Sequence, residues 1–402
     1  MKNKKSKLYD SLFLSSRDDI ASNVAICDIS MTLDNSEVDK YSNKLANYLK
    51  TENLSKGDVV AILAEKSSYS IIAVFAIMKI GATFLILDKE DSNKRNSFKL
   101  NETKSKLLIS DFKFRNNAND LVKDCKIKKL IINQESNCKD KIISDFSVNI
   151  LKASKKPIKQ SVYDDDVAYI LYTSGSTGMP KGAMITYGSI YPLIAYTVNR
   201  FNLNTSDKIL FTVPMMFDVS IWDIFISRLS GAELVIPITI SVIPSLLKQI
   251  EEKKITYFYA VSTLLILFSD TFSNIDSYNL KSVKTIIFGA SICPSSTIFS
   301  LMKNFSSASF YNCYGTVETS VAQTFYRVTN SDHHYNISLP IGASFEGVNY
   351  HILKENGKLA KKNEVGEIII DGPNIMKGYV NQPYFTHPFN YRYVNSNYAN
   401  LY

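Results

Sequence analysis

Short runs of β-branched and aliphatic residues alternate with amphipathic stretches through most of this chain. That rhythm restricts the fold more than any other feature. Val59-Val60-Ala61-Ile62-Leu63 reads as a buried strand, a helix is predicted from about Ser68 to Ile80 with Gly81 ending it, and Ala82–Leu87 reads as the next strand. Before them, Val24–Ile29 reads as a strand. From Ser36 on, Val38, Tyr41, Leu45 and Leu49 fall at helical spacing, with Asn35 or Ser36 as the cap. Lys106–Ser110 and Lys129–Ile132 continue the series of strands. Alternation of this kind predicts parallel sheets with helices packed on both faces.

The pattern restarts in the second half. Helices are predicted near Tyr187–Arg200, Val219–Leu229 and Val242–Lys253, and strands at Lys208–Thr212, Leu234–Ile236, Tyr257–Ala260 and Thr285–Gly289. Beyond about Pro340, Val348–Leu353 and Gly366–Ile370 read as strands joined by tight turns with no helix between them. The expected fold is therefore α/β: two similar α/β halves in αβαβα layers with mostly parallel sheets, plus a small β-barrel-like region. The expected divisions are residues 1–160, 161–340 and 341–402. Residues up to about Lys7 are expected to be disordered, Lys152–Lys159 to be a linker, and the Asn- and Tyr-rich tail Asn390–Tyr402 shows no periodicity.

Near the start of the second half lies Tyr169–Gly182, YILYTSGSTGMPKG. It passes from β-prone residues into a turn rich in glycine and hydroxyls. Gly175 and Gly178 let the backbone approach a ligand closely. Thr173, Ser174, Ser176 and Thr177 offer hydroxyls, successive N–H groups can line an anion-binding concavity, and Lys181 adds a positive charge. It is not a Walker A loop, because Pro180 and Gly182 flank the lysine and Ala183–Thr186 reads as another strand.

Composition narrows the function classes. The chain has 402 residues, and its net charge of +8 is spread over short lysine clusters, which fits solvated surface better than nucleic-acid binding. Cys27, Cys125, Cys138, Cys293 and Cys313 are odd in number without C-x-x-C spacing, arguing against a disulfide framework or structural zinc. The four histidines, His333, His334, His351 and His387, make a His-based metal site an unpromising reading. The basic start MKNKKSKLYDSLF has no long apolar core, and the longest apolar run, Ile71–Ile80, is too short to span a bilayer. A cytoplasmic location with no membrane partner is expected.

The loop closely resembles the phosphate-binding signature of adenylate-forming enzymes, the superfamily of acyl-CoA synthetases, luciferases and amino-acid adenylation domains. Other segments extend the resemblance in family order. Met78–Asp88 resembles an early motif, with Ile86 where proline is usual. Phe217–Asp223 resembles the segment that binds the substrate amino group in adenylation domains of nonribosomal peptide synthetases. Asn312–Thr319 resembles the Tyr-Gly-x-Thr-Glu motif with Val317 in place of threonine, and Gly366–Tyr379 resembles a later Gly-Tyr motif.

The resemblance implies ATP and Mg²⁺ as cofactors and an amino-acid substrate that is converted to aminoacyl-AMP and pyrophosphate. Ser174–Lys181 with Thr173 would hold phosphates, Lys181, Thr173 and Glu318 would serve catalysis, and Glu318 would ligate the metal. Adenine would lie between Tyr314 and the Gly289-Ala290-Ser291 turn, beside Asn312 and Gly315. Asp218, a carboxylate in an apolar segment, would pair with the substrate ammonium; the alternative is a helix N-cap aspartate ahead of Ser220–Leu229. Val219, Trp222, Tyr259, Ile287, Gly289, Cys313, Val321 and Ala322 would line an uncharged pocket, implying a neutral side chain of small or medium size. A phosphopantetheine carrier protein is the implied partner. The alternatives are a D-alanine–carrier protein ligase, an acyl-CoA synthetase and, from another class, a non-catalytic amino-acid or nucleotide binding module. Because the chain ends Asn400-Leu401-Tyr402, it is expected to be the large N-terminal subdomain alone, lacking the small C-terminal subdomain, able to bind substrates but slow to turn over.

Overall fold

The computed structural model describes residues 4–15, 18–131, 148–173, 180–270, 277–335, 338–362 and 364–381. Their contacts separate two units. The first gathers residues up to 191, 214–217 and 376–381; the second gathers 192–213 and 218–375. The first division falls inside the helix Tyr187–Arg200.

In the first unit, β1 (Val24–Cys27) and β2 (Thr32–Asp34) form an antiparallel pair. Next come β3 (Val59–Leu63), β4 (Thr83–Ile86), β5 (Leu107–Ser110), β6 (Lys128–Ile131), β7 (Val167–Thr173) and β8 (Lys181–Thr186). The sheet runs β8-β7-β4-β3-β5-β6, with the two-residue strand Gly378–Tyr379 on the β8 edge. The pairings from β7 to β6 are parallel, and those on either side of β8 are antiparallel. Parallel neighbours need crossovers, and helices Ser68–Lys79, Asn93–Glu102 and Arg115–Cys125 supply them. Every residue of β4 and β5 is buried, which is why these strands read as continuous apolar runs rather than alternating ones.

Three expectations change here. Asp34, not Asn35 or Ser36, caps the helix Asn35–Thr51: its carboxylate accepts from the Glu37 N–H, and the Glu37 side chain accepts from the Asp34 N–H. Residues 4–7 are ordered rather than disordered. Lys5 bridges to Tyr163, and Ser6, fully buried, donates its N–H to the Val162 carbonyl at 2.9 Å. The anchor is the apolar trio Leu8, Tyr9 and Leu12 just downstream, buried to within 1% of completely and too short a pattern to be read as a periodic helix. The expected linker at Lys152–Lys159 begins in the helix Val148–Lys152 and is then irregular but tied down. Asn43 and Asn47 donate to the carbonyls of Ser154, Lys155 and Lys156, satisfying backbone that has no ladder partner.

The second unit repeats the alternation with β9 (Lys208–Leu210), β10 (Glu233–Val235), β11 (Tyr257–Val261), β12 (Thr285–Gly289), β13 (Ser309–Tyr314), β14 (Thr324–Arg327) and β15 (Ala343–Ser344). Their order is β15-β14-β13-β12-β11-β9-β10, parallel from β13 to β10 and antiparallel at β14 and β15. Beyond them, β16 (Asn349–Leu353) and β17 (Glu367–Asp371) make an antiparallel two-stranded ribbon, which is the form the β region takes among the described residues.

The pleat of β11, β12 and β13 sorts their side chains into two faces. Phe258, Ala260, Ile286, Phe288 and Phe310 pack into one apolar cluster with Leu246, Leu247 and Ile250 of helix Ile243–Lys253, Leu265 and Phe268 of helix Ser262–Asp270, and Ile298 and Leu301 of helix Ser295–Asn304. The intervening positions Tyr259, Ile287, Gly289 and Cys313 share the opposite face. The last two of these helices and strands β13 and β14 went unread in the sequence because their apolar runs are short.

Candidate active site

Four of the expected pocket residues share one face of three adjacent parallel strands: Tyr259 and Ile287 at mid-strand, and Gly289 and Cys313 towards the carboxyl ends, where α/β sheets present ligand sites. Tyr259 pairs with Ile287 across β11 and β12, and Ile287 with Tyr311 across β12 and β13. Gly289 is a glycine for lack of space: a Cβ there would sit 2.5 Å from the Cys313 carbonyl oxygen, 3.0 Å from its Sγ and 3.2 Å from the Tyr259 hydroxyl. Cys313 and Tyr259 thus fill the position above Gly289. Trp222 lies behind this wall. It is fully buried, donates its indole N–H to Thr197 at 2.9 Å, and meets Tyr259 edge-on with ring centroids 6.2 Å apart.

Asp218 opens the helix Asp218–Ser230, and its carboxylate accepts from the Val219 N–H at 2.9 Å. The residue is half-buried. Burial among apolar groups, reinforced by the negative charge of Glu318, pushes its carboxyl up to about 6. Among the described residues no cation pairs with it. Its own charge in turn adds to the upward push that burial exerts on the Cys313 thiol and the Tyr259 hydroxyl. Asp218, Tyr259, Cys313 and Glu318 thus form one electrostatic neighbourhood in the second unit.

Glu318 is carried on the 3-10 turn Val317–Thr319, directly after β13. Thr316 and Thr319 close this turn reciprocally: the Thr316 N–H reaches Thr319 Oγ1 at 3.2 Å, and the Thr319 N–H reaches the Thr316 carbonyl at 3.1 Å. The chain then doubles back onto Gly315, so that a Cβ at Gly315 would lie 2.0 Å from the Val321 carbonyl oxygen and 2.6 Å from Ala322 Cα. The return is strained. Ser320 and Val321 have φ of +59° and +81°, the latter a β-branched residue in a region such residues avoid. On the far side of the expected adenine position, Ala290 has φ +67°, and Ser262 Oγ fixes the turn by donating to the Ser291 carbonyl at 2.7 Å. Asn312 uses its amide N–H groups on the Leu339 and Pro340 carbonyls.

In the first unit the phosphate-loop sequence spans an antiparallel hairpin, with Thr173 pairing directly with Lys181. Ser174, Gly175, Ser176, Thr177 and Gly178 lie outside the described residues. Lys181 Nζ stands 5.5 Å from the centroid of the Tyr379 ring, a cation–π contact between the loop and the late Gly-Tyr motif. A Cβ on Gly182 would strike the Tyr172 ring at 2.9 Å and Val380 at 3.0 Å, so only glycine lets β8 pass between them.

Sequence reasoning missed Ser262 and Tyr379, which meet Ser291 and Lys181, and Gln323 and Asn374, which meet the Thr319 carbonyl next to Glu318. Among the described residues no three His, Cys, Asp or Glu side chains cluster to hold a metal, and no helix is long and apolar enough to cross a membrane. Cys125, Cys293 and Cys313 are free thiols, and Cys138 lies outside the described residues.

Comparison with known proteins places these features. The chain is 27% identical over 366 residues to gramicidin S synthase 1 of Brevibacillus brevis, a match that covers 90% of this chain and 31% of that protein. It is 29% identical over 349 residues to the D-alanine–D-alanyl carrier protein ligase of Bacillus mycoides (strain KBAB4), covering 86% of this chain and 66% of that one. Its fold matches the crystal structure of ATP-bound MatB from Rhodopseudomonas palustris with a TM-score of 0.82 at 18% identity, over 96% of this chain and 75% of that chain. The chain thus spans about a third of the first relative's length and two thirds of the second's. The family model described as "AMP-binding enzyme" matches residues 19–380, and the chain belongs to that family, the adenylate-forming enzymes, with adenylation domains of nonribosomal peptide synthetases among its relatives.

Proposed function

We propose that this chain activates a neutral amino acid with ATP, giving aminoacyl-AMP and pyrophosphate, for transfer to the phosphopantetheine thiol of a carrier protein. The observation that carries the reading is Asp218. A carboxylate held among apolar groups, raised to about 6 and facing Glu318 instead of a cation, is a site waiting for positive charge. A substrate α-ammonium supplies it; a fatty or aryl acid does not.

The substrate carboxylate would attack the α-phosphorus of ATP, so the protein's work is positioning and charge neutralisation. Lys181 and Thr173, paired across the hairpin, stand at the two ends of the loop that would hold the phosphates. One carboxylate together with phosphate oxygens and water is a normal magnesium environment, and the half-buried Glu318 fits that donor set. Bound there, Mg²⁺ would neutralise phosphate charge as pyrophosphate leaves. Tyr314 and the Gly289–Ser291 turn would enclose adenine. The pocket walls, Val219, Trp222, Tyr259, Ile287, Cys313, Val321 and Ala322, carry no formal charge, which supports a neutral side chain.

ATP–pyrophosphate exchange across amino, fatty and aryl acids tests the proposal. Exchange with one or a few neutral amino acids is expected. Exchange only with fatty or aryl acids would make it an acyl-CoA synthetase, and saturable binding without exchange a binding module. The similarity to a D-alanine–D-alanyl carrier protein ligase supports a second reading that uses the same ammonium contact. Exchange with D-alanine in preference to the L-amino acids would select it.

A further inference from the structure

The turn that carries Glu318 is held from beneath by two side chains outside the expected site. The Thr319 carbonyl oxygen accepts from two side-chain amides at once. Asn374 Nδ2 donates at 2.9 Å, and Gln323 Nε2 donates in a shorter contact. Thr319, Gln323 and Asn374 all have no exposed surface. Asn374 is 55 residues from Thr319 and sits within the late motif, so it ties a distant segment to this turn. The turn needs such support. Ser320 and Val321 follow in left-handed conformations, and a strained return persists only where its surroundings over-determine it. The Val321 carbonyl also lies over Gly315, so movement of the return disturbs both the turn and the end of β13.

We propose that Asn374, with Gln323 as its partner, is the positioning residue for Glu318: the shared grip on the Thr319 carbonyl fixes the direction in which the Glu318 carboxylate points. Asn374 touches neither nucleotide nor metal and acts through the turn alone. The inference rests on the reading of Glu318 as the magnesium-facing carboxylate. Partners that orient a ligand-bearing group are worth about 10–100-fold in metal affinity when removed.

The test is a MgCl₂ titration of ATP binding by calorimetry on wild type, Asn374→Ala, Gln323→Ala and Glu318→Gln. Asn374→Ala should raise the Mg²⁺ concentration for half-maximal enhancement of binding by about tenfold, with ATP affinity in EDTA unchanged. Gln323→Ala should act in the same direction and replaces Asn374→Ala if that variant fails to fold. Leu301→Ala, a core truncation elsewhere in the unit, should lower stability without changing the Mg²⁺ response. If Glu318→Gln abolishes the Mg²⁺ enhancement while Asn374→Ala and Gln323→Ala leave it at the wild-type value, the positioning role is refuted. Equal weakening with and without Mg²⁺ refutes it too, because the effect is then general. If Glu318→Gln itself leaves the enhancement intact, the assignment of Glu318 fails and the inference falls with it.

Discussion

Replacing Asp218 with asparagine should stabilise the free protein and cripple amino-acid binding, opposite outcomes from one substitution. Burial and Glu318 raise the Asp218 carboxyl from 3.8 to about 6. The folded state therefore binds a proton more tightly than the unfolded chain. Between those two values stability falls as pH rises, and the full cost of ionising the group is present above pH 6. Two pH units at about 1.4 kcal/mol each set an upper limit near 3 kcal/mol. Partial access to solvent lowers the expected gain of Asp218→Asn to about 1–2 kcal/mol at pH 8. The gain should shrink as pH falls through 6 and be gone below 4, where the wild-type carboxyl is neutral in both states. Urea unfolding at pH 8, 6 and 4 reads the effect. At the same time the charge-assisted contact to the ammonium, roughly 1.5–3 kcal/mol, is lost, so amino-acid affinity should drop about ten- to a hundred-fold while AMP affinity holds. In the wild type, amino-acid affinity should decline as pH falls below about 6, because the carboxyl must shed its proton to pair. A variant that is destabilised at pH 8, or that still binds the amino acid at wild-type affinity, refutes the account of Asp218.

Gly315→Ala should lower unfolding stability by about 3 kcal/mol, because its methyl would meet the Val321 carbonyl oxygen at 2.0 Å; a change within 0.5 kcal/mol in urea unfolding would contradict that contact. Ala290→Gly should stabilise by about 0.5–1 kcal/mol, since Ala290 is exposed and held at φ +67°, where the alanine methyl is penalised and removing it sacrifices no packing. A destabilisation in the same assay would mean that the turn is not strained. In a thermal-shift screen, lysine, arginine, aspartate and glutamate should stabilise the protein less than neutral amino acids do, because a buried unpaired charge is costly. A charged amino acid at the top of the ranking would overturn the uncharged pocket.

Local chemistry by itself determined most of the elements. Buried strands such as β4 and β5 announce themselves as unbroken apolar runs, and Gly81, at φ +72°, stops its helix for a reason visible in one residue. The family was legible as well, because closely spaced glycines, hydroxyls and a lysine make a signature within a few residues, and the match over residues 19–380 bears that assignment out. The cap was read one or two positions late, at Asn35 or Ser36 instead of Asp34, since a cap depends on which side chain turns back to the N–H groups and several neighbours are able to do so. What the tertiary structure alone decided are relations between distant residues. Tyr259, Ile287, Gly289 and Cys313 come from three strands and share a face only because the parallel register aligns them. Gly289 and Gly315 are glycines because a neighbouring carbonyl occupies the space of a side chain. Asn374 grips a carbonyl 55 residues away, and Asp218 is raised by burial and by Glu318, a hundred residues downstream. Contact distance and desolvation are properties of the folded neighbourhood, and no spacing along the chain encodes them.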